Sequence, residues 1–134
     1  MDRCISSHID ESDGFAKNLG LKLEHFEPGR ARVSFALDER HKNGVGLAHG
    51  GALFAAADLA FAAASNACQG GAMLNVCSSI TYLKAGKVGP IVAEAEEERS
   101  GKTLGTYNIR ITDGEGELIA VCRITGCRTD HLVR

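Results

Sequence analysis

The sequence predicts an α+β fold in which a curved antiparallel β-sheet wraps around one long central α-helix. Three observations carry this. From Asn43 to Tyr82 the chain reads NGVGLAHGGALFAAADLAFAAASNACQGGAMLNVCSSITY, and between Lys42 and Lys84 its only Asp, Glu, Lys or Arg is Asp58. The helix in that stretch is apolar on one face and alanine on the other, and a helix apolar all round is enclosed by protein. Long strand-like runs follow it, joined by Gly-rich turns, so the enclosure is a sheet that curls over it.

Each element has its own signal. Residues 10 to 20 read as a short helix, with Asp10 or Ser12 as cap, Phe15 and Leu19 four apart on one face, and Gly20 just past the end. Leu21 to Glu27 alternates and reads as a strand, and Pro28-Gly29 makes a turn. Arg30 to Leu37 is the clearest strand, with Ala31, Val33, Phe35 and Leu37 on one side and Arg30, Arg32 and Ser34 on the other. Residues 38 to 48 are turn-rich. The long helix is expected from about Gly50 to Cys68, where Gly70-Gly71 stops it. Strands are then expected over Met73–Leu83, Ile91–Arg99, Thr103–Thr112 and Leu118–Arg128, with a tight turn at Asp113-Gly114-Glu115-Gly116. Residues 129 to 134 read as a frayed tail.

A chain of 134 residues has room for a single domain, 1–134, with its core over about 12–128. Hydrophobic content of 44% and charged content of 24% are those of a globular protein in water. A net charge of −2 gives no support for a nucleic-acid or anionic-membrane partner. The polar, acidic start (MDRCISSHIDESDG) is unlike a signal peptide. The Ala-rich helix carries Asp58 at its centre and is too short to span a bilayer. Five cysteines without a CxxC pair read as reduced cytoplasmic thiols, not as a disulfide frame or a zinc site. His8, His25, His41 and His131 are expected at the surface, Phe54 and Phe61 in the core, and the run Glu94, Glu96, Glu97, Glu98 on a solvated strand face.

Asp58 is the residue that asks for a reason. An ionised carboxylate in a dry interior costs several kcal/mol unless it is paired, hydrogen-bonded or wetted. Catalysis is one such reason, and a purely structural acid is the competing one. Gly50-Gly51 taken alone is a loop-to-helix transition, and Asn43 before Gly44 taken alone is a turn residue.

Together these residues resemble a known signature. Asn43, the His49-Gly50-Gly51 triplet and Asp58 match the Asn…HGG…Asp pattern of hotdog-fold acyl-CoA thioesterases. HGGALFAAADLAFAAASNACQG, ITYLKAGKVG and SGKTLGTYNIRITDGEGELIAVCR extend the likeness to the phenylacetate-pathway (PaaI-type) branch, over roughly residues 12 to 128. The resemblance implies a hotdog fold, a homodimer with paired sheets, two dimers forming a homotetramer, and hydrolysis of acyl-CoA without metal or organic cofactor. It implies aryl-acyl substrates such as phenylacetyl- or hydroxyphenylacetyl-CoA, in phenylacetic acid degradation. It also places Asn43 and His49 in the site beside Gly50 and Asp58.

The chemistry agrees. Thioester hydrolysis needs donors for the oxygen that gains charge, and a base or nucleophile at the carbonyl carbon. The opening amides of a helix have no intrahelical partner and share roughly half a positive charge. The Gly50 N–H is therefore assigned as oxyanion donor, with Gly51 beside it in substrate binding, and Asp58 as nucleophile or general base. Some relatives place Ser or Thr near the acid to position water. Ala62 stands four residues beyond Asp58, so Ser78, Ser79 or Asn75 on the next strand is expected to substitute, Ser79 being assigned to substrate binding. Lys84, Lys87, Arg99, Lys102 and Arg128 are candidates for the CoA phosphates.

Eight helical positions, about 12 Å of rise, separate Gly50 from Asp58. One chain's acid should not reach a carbonyl at its own helix start. Antiparallel helices of two subunits give two shared sites, and an isolated monomer should be inactive. The alternative function is a non-catalytic acyl-CoA-binding or sensing protein on the same fold, which would gain little from Asp58. A hotdog dehydratase or hydratase would need a paired acid and His that the sequence lacks.

Overall fold

The computed structural model describes residues 4–67 and 72–129. Its sheet contains β1 (Lys22–Glu27), β2 (Arg30–Phe35), β3 (Ala72–Tyr82), β4 (Ile91–Ser100), β5 (Leu104–Thr112) and β6 (Leu118–Thr129). They lie in the order β1-β2-β4-β5-β6-β3, every pairing antiparallel. Helix α3 (Gly50–Ser65) touches all six strands. This is the expected hotdog arrangement, a curved sheet around one long helix.

Alanine makes the close wrap feasible. It has the best helix propensity and leaves little bulk between helix and sheet. Ala56, Ala57, Ala60 and Ala63 are completely covered, facing a sheet wall that includes Val33, Phe35, Ile91, Ile109, Ile111 and Ile124. Phe61 anchors the far end, meeting Tyr107 edge-on with ring centroids 5.4 Å apart. The Tyr107 hydroxyl donates to Glu97 at 3.2 Å. Burial, with the Glu97 charge second, pushes that phenol up to about 12.

The N-terminal segment differs from expectation. Instead of one helix over residues 10 to 20 there are two, α1 (Ile5–Ser12) and α2 (Gly14–Asn18). Neither Asp10 nor Ser12 caps α2. Asp13 leaves the helical region (ψ 96°) and its carboxylate accepts the Ala16 N–H at 3.0 Å, while the Ser12 hydroxyl turns back to the His8 carbonyl. Gly20 does take the left-handed conformation after α2, with φ +66°. Phe15, placed with Leu19 on one face of the expected helix, is 67% exposed.

The end of α3 also comes early. The helix stops at Ser65, because Asn66 pairs through its side chain with the next strand: its Oδ1 accepts the Met73 N–H at 2.8 Å and its Nδ2 donates to the Met73 carbonyl at 3.2 Å. Cys68, Gly70, Gly71, His131 and the tail from 130 lie outside the described residues.

His41 is a correction. It is 1% exposed, not a surface residue. The 3-10 turn at Glu39–His41 tucks its ring against Phe35, where Nδ1 accepts the Asp38 N–H at 3.0 Å and Nε2 donates to the Leu19 carbonyl at 2.5 Å. The His41 carbonyl then accepts the His49 N–H at 2.7 Å, which fixes where α3 begins. Glu94, Glu96, Glu97 and Glu98 are exposed as expected; Glu94, Glu96 and Glu98 are each ion-paired with an arginine across the outer face of the sheet, while Glu97 accepts the Tyr107 hydroxyl.

Candidate active site

The loop before α3 is built by Asn43. Its side-chain oxygen accepts the backbone N–H groups of Val45 and Leu47 at 3.0 and 3.1 Å, closing the turn that carries Gly46 at φ +81°. That assignment points the Asn43 amide NH2 away from the turn, and no acceptor takes it among the described residues. Asn43 therefore holds the loop that leads into α3.

His49 is the N-cap of α3. Its Nδ1 accepts the Gly51 N–H at 2.8 Å, so a neutral ring carries its proton on Nε2, facing outward. The Gly51 amide is thereby occupied within the chain. The Gly50 N–H has no acceptor among the described residues. Of the two neighbouring amides, that of Gly50 is the one without an acceptor among the described residues.

Tyr82, at the end of β3, was not singled out by the sequence. Its hydroxyl donates to the Gly50 carbonyl at 3.0 Å. With Asn43, Leu47, Gly50, Leu53 and Lys84 it lines a groove of about 470 Å³ at the helix start. Lys84 is bonded to Glu117, whose carboxylate holds the ammonium above its usual range.

Asp58 is half-buried and lines a different cavity, of about 260 Å³, whose other walls include Phe15, Leu21, Gly51, Phe54 and Leu59. Phe54, expected in the core, is thus a wall of this cavity, whereas Phe61 is fully inside. Asn75 on β3 donates from Nδ2 to Asp58 Oδ1 at 2.9 Å. Beneath it, burial first and the Asp58 charge second push the Cys122 thiol up to about 11. Within one chain Gly50 and Asp58 line separate depressions, while Gly51 lines the one that holds Asp58.

Ser79 is not brought to these groups. It pairs with Arg123, which reaches Glu98 and Asn108 on the outer face, whereas its neighbours Ser78 and Ile80 pair with the buried Ile124 and Cys122. Side chains alternate across a strand, so Ser79 faces away from α3. A larger depression of about 750 Å³ lies on that outer face among Arg30, Arg32, Glu94, Glu96 and Arg110, away from Asp58 and Gly50.

A hotdog sheet, an open helix-start amide and a lone acid on the same helix define the class: a thioester hydrolase. Residues 45–120 match the Thioesterase superfamily. The acyl-coenzyme A thioesterase PaaI of Escherichia coli is 35% identical over 114 residues, 84% of this chain and 81% of that protein. Human acyl-coenzyme A thioesterase 13 is 32% identical, covering 97% of this chain and 93% of that one. The solved structure of E. coli PaaI, from the phenylacetic acid degradation operon, superposes with a TM-score of 0.87 at 33% identity, over 92% of this chain and 90% of that chain. The chain belongs to the thioesterase superfamily and is a hotdog enzyme of the PaaI type. No helix among the described residues is long and apolar enough to cross a membrane.

Proposed function

We propose that this enzyme hydrolyses acyl-CoA thioesters to the free acid and CoA, with a preference for aryl-acyl groups such as phenylacetyl or hydroxyphenylacetyl. The observation that carries the reading is Asp58, a carboxylate held at the edge of a cavity with otherwise largely apolar walls. The aromatic and aliphatic side chains Phe15, Leu21, Phe54 and Leu59 suit a ring. The two curated relatives named above are both acyl-coenzyme A thioesterases, one of them from a phenylacetic acid operon.

In the proposed site the thioester oxygen faces the Gly50 N–H, where negative charge develops next to the positive end of α3. The outward Nε2–H of His49 and the free NH2 of Asn43 orient the thioester. Asp58 either attacks the carbonyl carbon, giving an anhydride that water then opens, or takes a proton from the attacking water. In both routes the C–S bond breaks, one water is consumed overall, and the leaving sulfur takes a proton and ends as the CoA thiol.

The acid comes from one protomer and the amide from its twin. Strand β3 supports this: among the described residues it is paired on one side only, and it exposes Leu74 and Val76 at the edge of the sheet. Two copies joined edge to edge set their α3 helices antiparallel, with two shared sites, and two such dimers form a tetramer. Thiol release measured over a panel of acetyl-, octanoyl-, palmitoyl- and phenylacetyl-CoA tests the function. The highest kcat/KM should fall on phenylacetyl-CoA, and absence of turnover on every acyl-CoA would refute the assignment.

A further inference from the structure

We propose that Asn75, held by Ser78, is a positioning residue that fixes the Asp58 carboxylate in its working orientation; this rests on the catalytic reading of Asp58 above. The Asn75 Nδ2 donates to Asp58 Oδ1 at 2.9 Å, and the Ser78 hydroxyl donates to Asn75 Oδ1 at 2.8 Å. The three side chains form one relay from the sheet edge to the acid. Turning the amide over would set its oxygen against the carboxylate, so the acid selects this orientation and the hydroxyl donates to the amide oxygen that it leaves. One carboxylate oxygen is thereby tethered, and Oδ2 is left for the carbonyl carbon or the water.

The backbone is shaped for this contact. Residues three apart on a regular strand face opposite sides, so Asn75 and Ser78 should not meet. The register of β3 on β6 slips between Asn75, opposite Gly126, and Cys77, opposite Thr125. Val76 is the extra residue of a β-bulge and stands 59% exposed. The bulge resets the alternation, so that Asn75 before it and Ser78 after it both face α3. Without it Asn75 and Ser78 would lie on opposite sides of the sheet. Ser78 and Asn75 make no other side-chain hydrogen bond among the described residues, so the relay serves Asp58.

The test is steady-state hydrolysis of phenylacetyl-CoA by Asn75→Ala, Ser78→Ala, Asp58→Asn and the Asn75→Ala/Asp58→Asn double variant, each checked for the wild-type unfolding temperature and oligomeric state. Misplacement of a reacting group by an ångström costs on the order of 100-fold, so Asn75→Ala should lose about 10- to 100-fold in kcat with KM within about threefold. Ser78→Ala should lose less. In the Asp58→Asn background the Asn75 substitution should change kcat by less than about twofold, since a residue acting through Asp58 has nothing left to position. A variant with wild-type kcat, a loss confined to KM, or the same loss in both backgrounds overturns the proposal. Should Asp58→Asn itself turn over like the wild type, the catalytic reading fails instead, and the two outcomes are told apart by that variant alone.

Discussion

The Tyr82 hydroxyl donates to the Gly50 carbonyl at 3.0 Å, and a Cβ built on Gly50 would stand 2.8 Å from that hydroxyl. Any side chain at 50 therefore displaces an exposed tyrosine before it meets the rest of the fold. The relationship separates two effects that a single mutant would confuse. Gly50→Ala moves Tyr82 but keeps the N–H. Gly50→Pro moves Tyr82 and removes the N–H, at the first helical position where proline is well accommodated, after a His49 already extended at ψ 134°. Gly50→Pro should lose about 10²- to 10³-fold in kcat, the range for deleting one oxyanion donor. Gly50→Ala should lose far less, and equal losses would move the role from the amide to the space around it.

His49 should show a stability effect as well as a kinetic one. Its Nδ1 is the cap of α3, and removing a cap costs about 0.5–2 kcal/mol. His49→Ala should lower the unfolding temperature and weaken kcat/KM, while His49→Asn should restore the stability by capping. Calorimetry of the two variants checks this, with His49→Ala as stable as wild type counting against the cap.

Close packing around α3 leaves no tolerance for added bulk. A Cβ on Gly126 would sit 2.6 Å from Met73 Cγ and 2.7 Å from Phe61 Cζ, both in the buried core. Gly126→Ala should destabilise by about 1–3 kcal/mol, the usual range for overpacking, as should Ala60→Leu at a fully covered helix position. Chemical denaturation measures both.

Cys122 should be inert. Its thiol, raised by burial from 9.0 to about 11, is almost wholly protonated at pH 8, and only the thiolate attacks an alkylating agent. Cys122 should stay unlabelled by iodoacetamide in the folded protein and label on unfolding, as read by peptide mass. The raised value also makes the folded state bind more protons than the unfolded one. This contribution to stability is intact below pH 9 and is lost as pH rises through about 11, a loss that Cys122→Ala should remove.

Most of the fold was legible because its signals are local. The charge-free alanine helix, the alternating Arg30–Phe35 run and the glycine turns each declare one element, and the HGG start and Asp58 stand out against alanine. What was not legible depends on contacts between distant segments. The bulge at Val76 reverses the facing of everything after it on β3, which is why Ser79 looked like a site residue and Asn75 could not be distinguished from it. His41 is buried because a 3-10 turn folds it under Leu19, and no periodicity predicts that. Asp13 splits the first helix by capping the second, in place of the Asp10 or Ser12 expected from the sequence. Phe15, placed only by its spacing from Leu19, forms an exposed wall of the Asp58 cavity, a contact that spacing does not disclose.

The central claim is that the acid of one protomer works on a carbonyl held by the Gly50 amide of its twin. Co-refolding of Asp58→Asn with Gly50→Pro tests it most directly, using phenylacetyl-CoA and each inactive variant alone as the control. Random pairing makes half the dimers mixed, each with one intact and one doubly damaged site, so about a quarter of wild-type activity should return. A mixture no more active than its two parents would contradict the shared site.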